Sequence, residues 1–123
     1  MKTQSPQKAL DLIIHRLQAG LNPEQIILFG SHAYGEPTEG SDIDLLIIVT
    51  DSSDPPHHRA QKAYRCVGAV GIPKDLVVLT REEFERQLPV VTSLARRARE
   101  KGKVVYDRRE IRGNTEMADQ ESA

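Results

Sequence analysis

The sequence predicts an α/β chain of the α+β kind, with one small mixed β-sheet flanked by helices. Two observations lead there. Short apolar runs at 26–29, 43–49, 76–79 and 104–106 have the length and residue types of strands. They occur in the order helix, strand, strand, helix, strand, helix, helix, strand, which suits helices packed against a mixed sheet.

The first helix opens at Ser5-Pro6, a capping residue followed by proline at the first helical position. Leu10, Ile13, Ile14 and Leu17 then repeat at helical spacing, and Gly20 is expected to close the helix. After an Asn22-Pro23 turn, Ile26 to Phe29 reads as a buried strand that ends at Gly30-Ser31. Gly35, Pro37 and Gly40 leave room for at most one helical turn after Ser31. Ile43 to Val49 is apolar on both alternating faces, as a central strand covered on both sides would be.

A helical stripe of Ala60, Ala63, Tyr64 and Val67 follows within 57–70 and stops near Gly68 and Gly71. Leu76 to Leu79 is the third strand. Thr80 with Glu83 three residues on reads as a capping box for a short helix that Pro89 interrupts. A further helix runs from about Val91 to Lys101, ending at Gly102, and Val104 to Tyr106 forms a short edge strand. The domain is therefore expected over 1–107, with a charged, aperiodic and flexible tail over 108–123.

Composition limits the possible functions. A chain of 123 residues has room for one modest core and none for a separate acceptor-binding domain. A formal net charge of -1 lacks the basic excess of a general nucleic-acid binder, so any such contact would be local and is not favoured. One cysteine, Cys66, excludes an internal disulfide and a zinc site built on several thiolates. No apolar run approaches the roughly 20 residues of a membrane span, and the N-terminus lacks a signal-type apolar region. The reading is a cytoplasmic protein without membrane contact.

The chemistry concentrates in Gly30, Ser31, Asp42, Asp44 and Asp75. Asp42 and Asp44 are two residues apart at a strand entrance, so their side chains share a face about 7 Å apart. Two carboxylates beside an apolar strand repel each other and resist desolvation unless a cation neutralises them, and Mg²⁺ is the natural hard counter-charge. Asp75 precedes the next strand and reaches the same sheet edge if that strand pairs beside Ile43 to Val49. Three carboxylates could then hold two ions about 4 Å apart for an in-line phosphoryl displacement, the third also accepting a proton. Gly30-Ser31 follows a buried strand, and its backbone N–H groups and hydroxyl would cradle a phosphate in the same region.

Gly30-Ser31, ten further residues, then Asp42-Ile43-Asp44 resemble the GSx₁₀DxD signature of nucleotidyltransferases related to DNA polymerase β. The strand context and Asp75 in PKDLVVLT resemble the small stand-alone branch, the minimal nucleotidyltransferase (MNT) family, over roughly Leu10 to Tyr106. The resemblance implies the DNA polymerase β-like fold, with Ser31 on the β- and γ-phosphates of ATP, the substrate. It further implies Asp42 and Asp44 as ligands of Mg²⁺, and Asp75 as metal ligand and general base. Such proteins are commonly paired, as antitoxins, with a small helical HEPN toxin, and several are thought to adenylylate that toxin on a tyrosine. Adenylylation of a HEPN partner is thus the expected function.

Two other functions remain open. The chain could neutralise its partner by docking, with nucleotide binding vestigial or regulatory. It could also transfer the nucleotide to an RNA or small-molecule acceptor, for which the basic stretch Arg96 to Arg112 is the one pointer. His32, His57 and His58 lack partners at metal-ligand spacing, and Tyr64 and Cys66 read as packing residues of the middle helix.

Overall fold

The computed structural model describes residues 6–34 and 42–109. The Ser5 cap, the loop glycines Gly35 and Gly40 with Ser41, and the tail from 110 lie outside the described residues, as does the Ser31 side chain. Among the described residues the elements follow one another as α1 (Pro6–Leu21), β1 (Gln25–Phe29), α2 (Ser31–Tyr34), β2 (Ile43–Val49), α3 (Pro56–Val67), β3 (Lys74–Thr80), α4 (Arg81–Gln87), α5 (Leu94–Lys101) and β4 (Lys103–Asp107). The strands form one mixed sheet in the order β3-β2-β1-β4. β1 is antiparallel to both β2 and β4, while β2 and β3 run parallel.

Alternation along the strands divides the core into two layers. Ile26, Leu28, Ile43, Leu45, Ile47, Leu76 and Val78 face α1 and α3, meeting Ala9, Leu10, Ile13, Leu17, Ala63 and Val67. Ile27, Leu46 and Ile48 face the other way, against Phe84 of α4 and Ala95 and Ala98 of α5. β2 is buried on both faces, which is why its sequence is apolar without alternation. Each large aliphatic side chain enclosed this way contributes about 1.5–3 kcal/mol. The expected capping box is present: Glu83 N–H donates to Thr80 Oγ1 at 3.1 Å, and Thr80 N–H to Glu83 Oε1 at 2.9 Å.

Several boundaries differ from the sequence reading, each for a physical reason. Gly20 does not close α1, which runs to Leu21 before Asn22 takes the left-handed φ of 48°. Gly20 instead faces α3, where a Cβ would lie 2.4 Å from Cys66 Sγ and make that side chain move. β3 starts at Lys74 rather than Leu76, because the parallel ladder pairs Ile43 with Lys74 and Asp44 with Asp75. α3 stops at Val67, where Gly68 turns the chain with φ 65°. α5 starts three residues later than expected, as Ser93 Oγ accepts from Arg96 N–H and donates to Gln87 O.

β3 is a sheet edge, and α3 seals it. Leu76 N–H donates to Tyr64 Oη at 2.9 Å, and Arg59 donates to Val78 O at 3.1 Å. Arg59 is only 6% exposed, and its guanidinium also forks onto both Glu83 oxygens at 2.8 and 2.9 Å. Two side chains of one helix thus occupy backbone groups that would otherwise invite a foreign strand.

Candidate active site

β1 and β2 place the glycine against the first carboxylates. Phe29, the last residue of β1, pairs with Asp44, so Gly30 turns off the strand directly beside the Asp44 side chain. Its φ of 79° is left-handed, and a Cβ there would stand 2.1 Å from Asp44 Oδ2. Only glycine satisfies both the turn and that approach. Ser31 then begins the single turn of α2, which Ala33 N–H closes onto Gly30 O at 3.0 Å.

β3 brings in the remaining carboxylate. Asp44 and Asp75 are partners in the parallel ladder, and Asp42 lies just before β2. Pleating puts Asp44 on the face of Leu46 and Ile48, and Asp75 on the face of Val77 and Leu79, which is the same side of the sheet. Burial pushes the Asp44 carboxyl above its ordinary value, and the negative charges of Asp75 and Asp42 push it further, with His32 opposing. Asp44 thus lies within electrostatic reach of both other acidic groups. Asp42 and Asp75 are exposed and Asp44 is half-buried, so the site is an open rim.

Among the described residues, no three His, Cys, Asp or Glu side chains already converge as a closed metal site. The donor set nevertheless suits a hard divalent cation: carboxylate oxygens, one of them destabilised in its charged form by its neighbours and packed against the backbone of Gly30.

Tyr64 is not merely a packing residue. It is 37% exposed, accepts from Leu76 N–H, and its hydroxyl stands 3.4 Å from Asp75 Oδ1. Helical spacing put its apolar ring on α3, but nothing in the sequence connects it with a residue eleven positions on across a turn. Several arginines of the basic stretch are bound within the fold. Arg96 pairs with Glu100 and donates to Leu88 O, while Arg108 donates to Asn22 O and Thr50 Oγ1. Arg99 joins Arg81 and Arg109 around a cleft of about 400 Å³ floored by Ile27 and Phe84. Arg112 lies outside the described residues. A further cleft, of about 460 Å³, opens on the α1 face beside Leu10, Ile14, Leu28 and Lys103, and adjoins the carboxylate region through His32 and Ile43.

The chain matches the nucleotidyltransferase domain family over residues 10–106. It belongs to that family. Nucleotidyl transfer is accordingly the chemistry of this domain, and family members use a nucleoside triphosphate with a divalent metal. No curated protein sequence matches the chain significantly. Among solved structures, a toxin–antitoxin complex with AMP-PNP is 26% identical, covering 81% of this chain and 74% of the other, with a TM-score of 0.51. A mutant toxin–antitoxin complex, MntA-HpeT, is 24% identical over the same shares, with a TM-score of 0.50. A Sulfolobus solfataricus protein proposed to be a nucleotidyltransferase is 19% identical, covering 88% of this chain and 95% of that one, also with a TM-score of 0.50. These last two likenesses show the nucleotidyltransferase fold. No helix among the described residues is long and apolar enough to cross a membrane.

Proposed function

We propose that this nucleotidyltransferase domain transfers AMP from Mg-ATP to a hydroxyl of a partner protein, a HEPN-type toxin that it neutralises as an antitoxin. The observation that carries the reading is the pairing of Asp44 with Asp75 across β2 and β3, with Gly30 packed against Asp44. The likeness to a toxin–antitoxin complex with AMP-PNP supports both the nucleotide and the kind of partner.

In this reading Asp42, Asp44 and Asp75 hold the divalent cation. That cation, when bound, neutralises phosphate charge and the pyrophosphate that leaves. Gly30 admits a phosphate close to the backbone, and Ser31 supplies a hydroxyl to the β- and γ-phosphates. Asp75, exposed at the rim, takes the proton of the attacking hydroxyl as the oxygen bonds to the α-phosphorus. An exposed rim suits a large acceptor that brings its own surface.

The test is incubation with Mg²⁺, α-phosphate-labelled ATP and a lysate of the source cells, alongside Asp42→Asn/Asp44→Asn. Label on one small protein, with the wild type alone, is the expected outcome. Undiminished labelling by the variant would overturn the site. Neutralisation of the toxin by the variant would favour simple docking. The Arg81, Arg99 and Arg109 cleft supports a second reading, transfer to an RNA acceptor. RNA labelling that falls steeply with salt would favour it.

A further inference from the structure

Tyr64 lies outside the carboxylate set, yet its hydroxyl is bonded on both sides. Its oxygen accepts from Leu76 N–H at 2.9 Å, an edge group of β3 that faces away from β2. A phenol oxygen used as acceptor there directs its own proton elsewhere, and Asp75 Oδ1 stands 3.4 Å away. Lys74 Nζ lies over its ring, 6.0 Å from the centroid. α3 therefore delivers one polar group to the outer flank of an otherwise exposed carboxylate.

We infer that Tyr64 is a positioning residue for Asp75, donating from its hydroxyl to Oδ1 so that Oδ2 is left to face the cation and the acceptor. This rests on the reading of Asp75 as a site carboxylate. An exposed aspartate samples several rotamers, and a ligand to a metal or a base must be held within a fraction of an ångström of one geometry. The backbone N–H of Leu76 fixes the phenol, and the phenol fixes the carboxylate. Hydrogen-bond partners of this kind typically change metal affinity by about 10–100-fold when removed.

The experiment is a double-mutant cycle on the full chain, titrating Mn²⁺ calorimetrically in the presence of AMP-PNP. Its four proteins are the wild type, Tyr64→Phe, Asp75→Asn and the double variant. Thermal unfolding without metal accompanies each, to separate any loss of the Leu76 bond. Tyr64→Phe is expected to weaken Mn²⁺ binding about tenfold when Asp75 is present, and less than about twofold in the Asp75→Asn background. Equal losses in both backgrounds, or none in either, would overturn the positioning role while leaving Asp75 in the site. Unchanged affinity in Asp75→Asn alone would instead remove Asp75, and the positioning role with it. If Tyr64→Phe proves unstable, Tyr64→His keeps a ring donor, and its affinity should lie above that of Tyr64→Ala.

Discussion

Gly30→Ala separates the cost of a strained turn from the cost of a displaced carboxylate. At φ 79° a residue with a Cβ costs about 1–2 kcal/mol, which for a domain of this size lowers the melting temperature by about 4–10 °C. The new Cβ would also stand 2.1 Å from Asp44 Oδ2, 3.1 Å from Cγ and 3.4 Å from Cβ. The oxygen must retreat by more than ~1 Å, and since Asp44 is short, it does so by swinging its carboxylate. Metal–ligand distances tolerate about 0.2 Å, so in the proposed site the swing would take Asp44 out of reach of the cation. Mn²⁺ affinity in the presence of AMP-PNP should fall by about 10–100-fold, more than the melting shift alone would suggest. In an Asp44→Ala background the same glycine change should cost only its turn strain, with no further loss of affinity. Native affinity in Gly30→Ala, or losses that add independently of Asp44, would refute this account.

Three further outcomes follow from contacts in the fold. Burial and the neighbouring Asp75 and Asp42 charges disfavour ionised Asp44, so Asp44→Asn should melt higher than the wild type at neutral pH in chelator, the gap narrowing as Mn²⁺ is added. The Arg59 guanidinium hydrogen-bonded to Glu83 lowers that carboxyl from 4.5 to about 2. A lowered value stabilises the fold above the unfolded pKa and is lost as pH falls through the folded one. Chemical unfolding should therefore show the wild type losing about 1–2 kcal/mol more than Glu83→Gln between about pH 5 and 2, allowing for solvent screening. Gly20→Ala forces a Cβ to within 2.4 Å of Cys66 Sγ and should cost about 1–3 kcal/mol, largely restored by Cys66→Ala; calorimetric unfolding reads both.

Strand order along the chain, the capping box at Thr80 and the turn at Gly30 were legible because each depends on local chemistry: apolar runs, a side chain reaching three residues on, a glycine after a strand. Asp75 was legible as a carboxylate but not as a strand residue, because its membership of β3 is decided by pairing with Asp44 thirty-one positions away. Gly20 looked like a helix terminator since sequence does not show which helix will cross it. Arg59 and Tyr64 escaped for the same reason. Both lie on an ordinary helical stripe, and their roles come from the β3 edge that α3 happens to cover.

The position of β4 bears on how the molecule is made. β1 pairs on one side with β2, its next strand, and on the other with β4, and Gln25 reaches Asp107 across a sequence separation of 82. During synthesis β1, which leads into Gly30, and the strands that carry Asp44 and Asp75 therefore emerge and can pair well before β4 exists. Until then β1 has an open edge through Ile26, Ile27 and Leu28, and closing so long a loop is slow. A nascent chain would pass through a stage in which β1, β2 and β3 are paired while the apolar flank of β1 waits for the five residues of β4, the stage at which exposed strand edges are most prone to association.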